Sequence, residues 1–73
     1  MSGIYIKTPS KIIFVESMEL FEAEEDGTPA RIVVNREFTF QGDYDRFSKM
    51  LDAVADAIDR HLTIVNLNPY FGL

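Results

Sequence analysis

Twelve carboxylates, one imidazole and four serine hydroxyls are the groups in this sequence that could do chemistry. Acid–base catalysis needs a carboxylic acid or imidazole whose pKa is displaced toward neutrality, and nucleophilic catalysis needs a hydroxyl within reach of a base. The spacing meets neither requirement. Ser2, Ser10, Ser17 and Ser48 have no base at a motif spacing, and the carboxylates sit in charge runs rather than singly among apolar residues that would raise a pKa. His61 stands alone at the end of an amphipathic stretch, where its ordinary role is to be half-buried or to meet a helix dipole. Cysteine is absent, so disulfides and thiolate metal sites are excluded, as is a multi-histidine site within one chain. Gly3, Gly27, Gly42 and Gly72 occur singly and form no phosphate-cradling loop. Neither catalytic residues, a metal site nor a cofactor is expected.

What remains is charge placement. Seven basic residues stand against twelve acids, for a net charge of -5. Half of the acids, Glu16, Glu19, Glu22, Glu24, Glu25 and Asp26, fall within eleven consecutive residues that contain no base. Four more, Asp45, Asp52, Asp56 and Asp59, recur at helical spacing, so they share one face opposite an apolar stripe. DNA also presents negative charge at regular intervals along an axis. A helix face plus an acidic segment can therefore imitate a phosphate track, and the ordinary alternative is a solvated surface that blunts a strand edge. Lys49 and Arg60 stand four residues after Asp45 and Asp56 and dilute the track; Asp52 and Asp56 repel across one turn. A surface this negative disfavours direct contact with nucleic acid and favours a protein partner with a basic surface. The partner-contact set expected on the acidic side is Glu19, Glu22, Glu24, Glu25, Asp26, Asp45, Asp52, Asp56 and Asp59.

Residues 68–73 form an apolar tail in which Tyr70 and Phe71 either dock a partner or fold back over the core. Asn68-Pro69-Tyr70-Phe71 also matches a short NPxF-type docking pattern, which four residues reach often by chance.

Stepping from these side chains to the elements that hold them, 73 residues suffice for one domain, 1–73, and exclude multi-domain enzyme folds. A domain this small buries only about 60% of its unfolded surface, so its core must be dense or aided by association. Ile4-Tyr5-Ile6 and Lys11 to Val15 read as strands separated by turn chemistry at Thr8-Pro9-Ser10. The second is apolar on both faces, which predicts a central or doubly covered strand. Residues 18–25 are compatible with helix or strand. A strand over Met18–Ala23 leading into a turn at Asp26-Gly27-Thr28-Pro29 is preferred, because acids at 24–26 would sit at the negative end of a helix. Across 31–40, a three-residue loop at 35–37 pairs Val34 with Phe38 and Ile32 with Phe40 and keeps Arg36 out of the interior. Asp43 is a good N-cap for a helix over about 43–61, with Phe47, Met50, Leu51, Val54, Ala57, Ile58, His61 and Leu62 on one face. Leu62 to Leu67 is β-capable.

The expected architecture is α+β: an antiparallel meander of about four or five strands with one amphipathic helix packed on one face. One helix covers one face only, so Ile13 and Val15 or their opposite-parity neighbours, together with Val33, are expected on a weakly covered face. The N-terminus lacks a basic segment followed by a long apolar run, and the longest apolar run, Ile12 to Val15, is too short to span a membrane. A cytoplasmic location and no membrane contact follow as expectations. The traits together are similar, in size and composition but not in any motif, to the small inhibitor proteins that phages and mobile elements encode against host enzymes. The expected function is a non-enzymatic protein–protein interaction module with an acidic binding surface. A DNA-mimic-like inhibitor of a host nucleic-acid-binding protein is its more concrete form, and a small accessory subunit that homodimerises through its sheet face or edge is the alternative.

Overall fold

The computed structural model describes residues 3–61 and 64–72. β1 (Ile4–Lys7) and β2 (Ile12–Phe14) form an antiparallel hairpin with Ile6 opposite Ile13. Its turn is closed by Thr8, whose N–H donates to the Lys11 carbonyl (2.8 Å) and whose hydroxyl bonds the Lys11 backbone (3.1 Å). Strand alternation sends Ile4, Ile6, Ile13 and Val15 into the core and Tyr5, Ile12 and Phe14 to the other face. The apolar run of β2 therefore does not mark a central strand. β2 is an edge strand, and Ile12 (52%) and Phe14 (58%) are exposed on the outer face of this sheet, where none of the described elements packs.

β3 (Met18–Phe21), β4 (Ala30–Val34) and β5 (Phe38–Gly42) make an antiparallel meander. Residues 18–21 are strand, not helix, since Met18 and Leu20 alternate toward the core opposite Val34 and Ile32. The strand stops short of the expected Ala23. Glu22 to Thr28 form a tip closed by the Glu24 N–H donating to the Thr28 carbonyl (2.9 Å), with Gly27 at φ +96. The second hairpin has the expected register, Val34 with Phe38 and Ile32 with Phe40, and Arg36 is exposed in the loop. Asn35 and Arg36 both take left-handed backbone (φ 55 and 59).

Asn35 also fixes how the two hairpins meet. Its side-chain carbonyl accepts from the consecutive N–H groups of Glu16 (2.7 Å) and Ser17 (3.1 Å). Its Nδ2 donates to the Phe14 carbonyl (2.9 Å), and its own N–H donates to Ser17 O (2.8 Å). Two successive N–H groups turned to one acceptor make this bend at Glu16 resemble a bulge, placed in the link between β2 and β3 where the chain passes from one sheet to the other. Before the bulge, Val15 N–H donates to Ile4 of β1; after it, the strand pairs with β4.

The helix α1 (Tyr44–Asp59) is capped by Asp43, whose carboxylate accepts from Asp45 N–H (3.3 Å). Phe47, Met50, Val54 and Ala57 are buried and Leu51 is half-buried. The apolar stripe ends sooner than its spacing predicts. Ile58 is 43% exposed and His61, past the helix end at φ 55, is exposed. The expected Leu62 lies outside the described residues. Gly42 lies under the Phe47 ring, where a Cβ would sit 2.7 Å from the ring edge, so any larger residue would force that ring to shift.

After the helix the chain returns to the first sheet as β6 (Val65–Asn66), parallel to β1. The Asn68 side chain prolongs this pairing. Its Oδ1 accepts from Lys7 N–H (2.7 Å) and its Nδ2 donates to Lys7 O (2.8 Å), as a strand residue's peptide would. A 3-10 turn at Asn68–Tyr70 then brings the Phe71 ring against Phe40 (4.8 Å between centroids) and Phe47 (5.4 Å).

The fold is thus a small α+β domain with antiparallel-dominated sheets and one helix, as the pattern predicts. The meander is divided into two three-stranded sheets, β2-β1-β6 and β3-β4-β5, around one shared core.

Asn35→Ala should lose about 2–4 kcal/mol of stability, from three side-chain hydrogen bonds and a side chain strained at positive φ. Asn35→Asp, which keeps the acceptor for Glu16 and Ser17 but sets an oxygen in place of the donor against the Phe14 carbonyl, should lose an intermediate amount. Urea denaturation of both variants checks the order; an alanine variant as stable as the parent would show that the bulge holds without the clasp.

Candidate functional site

The acids of the first group sit on and around the β3–β4 tip. Glu19 projects from β3 beside Val33 on the sheet face away from the core, and Glu22, Glu24, Glu25 and Asp26 are all exposed. The tip is built around Asp26 and Arg31. The Asp26 carboxylate accepts from the Thr28 hydroxyl (2.6 Å) and the Thr28 N–H (2.9 Å). These bonds favour the ionised form and hold its pKa below the usual aspartate value, the hydroxyl contributing most. Arg31 stacks its guanidinium over Phe21 (4.6 Å) and reaches Glu24 at 3.9 Å, so part of the tip is neutralised by a cation from β4.

The second group, Asp45, Asp52, Asp56 and Asp59, is exposed along the solvent face of α1. Arg60 meets Asp56 at 3.5 Å. The helix acids and the tip acids thus lie on separate elements, α1 and the β3–β4 connection. Tyr70 and Phe71 are half-buried against the core, which places both rings in the packing of the domain. The structure does bring Tyr70 beside Asp45: both line a shallow depression of about 250 Å³ with Asp43, Arg46 and Lys49.

Two open features carry residues outside the expected set. The outer face of the first sheet is a shallow apolar surface of about 310 Å³ lined by Gly3, Tyr5, Lys7, Ile12, Phe14 and Ile64. Ile64 is 74% exposed, and the Tyr5 and Phe14 rings stand 6.4 Å apart across the hairpin. Its signal in the sequence was the parity of Ile12 and Phe14 against Ile13 and Val15; Val33, on the outer face of the second sheet, is half-buried. The second feature is a groove of about 210 Å³ between the bulge and α1, lined by Ile4, Val15 to Met18, Leu51, Val54 and Ile58. No local pattern marks it, because it arises where the bulge and the end of the helix's apolar stripe happen to face each other. Among the described residues no three histidine, aspartate or glutamate side chains converge as a metal site would require, and no helix is long and apolar enough to cross a membrane.

Comparison with protein families, with curated proteins and with solved structures finds no match to this chain.

Because the Asp26 pKa is lowered in the folded state, its contribution to stability is complete above the ordinary aspartate pKa and disappears as pH falls through the lowered value. Thr28→Val removes the stronger of the two bonds. Its Asp26 carboxyl should titrate at higher pH than in the parent when followed by NMR; an unchanged titration would show that the hydroxyl does not hold the charge.

Proposed function

We propose that the chain is a non-enzymatic protein–protein interaction module whose acidic surface receives a basic partner. The observation that carries this reading is that the acids are exposed and mostly unneutralised. Within 4 Å ion-pair distance among the described residues, only Glu24 and Asp56 meet a cation. Uncompensated carboxylates on a rigid scaffold raise the encounter rate with a basic surface and penalise acidic competitors. In its more specific form, the partner is a host nucleic-acid-binding protein in the cytoplasm, the chain is a phage- or mobile-element-encoded inhibitor, and α1 stands in for a phosphate track. The four helix acids then occupy part of the groove that would otherwise hold nucleic acid.

The uncovered face of the first sheet favours a second reading, in which a second copy of the chain covers it. Two chains of net charge -5 repel one another, and this face, which carries Lys7 and has no acid in its lining, is where two copies approach at least cost. Apolar contact through Ile12, Phe14 and Ile64 then makes a small accessory dimer.

Replacing Asp52, Asp56 and Asp59 together by lysine should weaken a partner captured through the helix by about tenfold or more, and affinity for the parent should fall steeply as salt rises. Binding that is unaffected by both would remove the helix from the interface. The dimer is read separately by sedimentation over a range of concentrations: association should hold or strengthen as salt screens the repulsion between the chains, and should be abolished by Phe14→Glu. A chain that stays monomeric at millimolar concentration overturns the dimer.

A further inference from the structure

The bulge at Glu16–Ser17 leaves an open strand edge beside an apolar groove. Asn35 N–H donates to Ser17 O, so residues 17 and 35 form a hydrogen-bonded pair. By antiparallel alternation the next such pairs are Glu19 with Val33 and Phe21 with Arg31. The backbone N–H and C=O of Met18 and Leu20 therefore point away from β4. β3 has no other strand neighbour among the described residues, so these groups face the free edge of its sheet. That edge lies on the side where Val15 pairs with Ile4, because the bulge turned the chain's partner from one edge to the other. The groove is on the same side: Ile4, Val15, Glu16 and Met18 line it together with Leu51 and Ile58 of α1.

We propose that this edge and groove take an extended, basic segment of a partner protein by strand addition. Three observations select that occupant. Unpaired main-chain donors and acceptors at Met18 and Leu20 are matched by a strand, not by a helix, whose backbone groups are satisfied internally. The groove's apolar walls and its volume of about 210 Å³ suit the alternate aliphatic side chains of such a strand. The charge then decides between partners. Glu16, Glu19 and Glu22 are exposed along this stretch, with no cation within ion-pair distance among the described residues. A second copy paired edge to edge would set these glutamates against their own equivalents, which is unfavourable, whereas lysine or arginine on the incoming strand meets them with opposite charge. The inference rests on the acidic-surface reading for the partner's sign and on the bulge for its backbone geometry.

The probe is an eight-residue peptide alternating valine and lysine, capped at both ends, titrated into the isotopically labelled full chain. Binding should shift the amide signals of Met18–Phe21 and Leu51–Ile58 and slow hydrogen exchange at Met18 and Leu20. N-methylation of alternate peptide amides should weaken it about tenfold or more, the loss of one or two hydrogen bonds. Ile58→Arg, at an exposed position that leaves the fold intact by circular dichroism, should weaken it similarly. A methylated peptide that binds equally overturns strand addition and leaves the acidic-surface reading standing. A valine–glutamate peptide that binds equally, and with the same sensitivity to methylation, overturns the basic partner instead. Shifts confined to Tyr5, Ile12 and Phe14, or no shifts with any peptide at millimolar concentration, overturn the proposal.

Discussion

A single carboxamide organises the molecule. Asn35 is at once the left-handed residue that lets β4 turn into β5, the acceptor for two successive N–H groups at the Glu16–Ser17 bulge, and the donor to the last residue of β2. Few side chains can occupy that position. It needs positive φ, which asparagine tolerates better than most residues, and it needs an acceptor and a donor on the same planar group. Aspartate lacks the donor and glycine lacks both. Because the bulge is held there, the stretch running from Ile12 to Phe21 serves two sheets, pairing with β1 before the bend and with β4 after it. The division into two sheets, the common core between them and the open edge of β3 all follow from that local geometry.

A second carboxamide does similar work at the other end of the first sheet. β6 contributes only Val65 and Asn66, too short a strand to hold the chain terminus by itself. Asn68 supplies both a donor and an acceptor to Lys7 from its side chain, so the backbone is free to turn and deliver Phe71 to the rings of Phe40 and Phe47. The terminal aromatics thereby supply apolar burial in a domain that has no disulfide and little volume to spare.

Much of this was legible where the controlling interactions are local. The register of Val34 with Phe38 was readable because a loop at 35–37 is the arrangement that keeps Arg36 in solvent, and the start of α1 because Asp43 is both a cap and a break from strand alternation. The status of β2 was misread. An apolar strand on both faces usually reports two covering layers and a central place; β2 is instead an edge strand, with Ile12 and Phe14 on the face that a single helix was expected to leave weakly covered. The last strand was expected within the β-capable stretch Leu62 to Leu67, but not its parallel pairing, which rests on Val65 N–H donating to Gly3 and Leu67 N–H to Tyr5, a long-range match that no hydrophobic pattern records. The exposed acids were identified as surface residues correctly by type. Which of them would meet a cation depended on where Arg31 lies across the hairpin, a non-local fact.

One helix and a tail cannot cover two sheets. α1 packs against β3 and β4 and meets the terminal turn, and the outer face of the first sheet remains open. Charge distinguishes the open surfaces. The face bearing Tyr5, Ile12 and Phe14 is lined by Lys7 and no acid, whereas the groove beside β3 is lined by Glu16, with Glu19 on β3 and Glu22 just beyond its end. Two apolar surfaces of similar volume on one small scaffold therefore differ in the sign of what they attract. An edge strand carrying like charges resists pairing with its own copies yet keeps its main-chain groups available to a strand of opposite charge. Under the proposed strand addition, protection from self-assembly and selectivity for a partner are the same physical property of β3, read against two different neighbours.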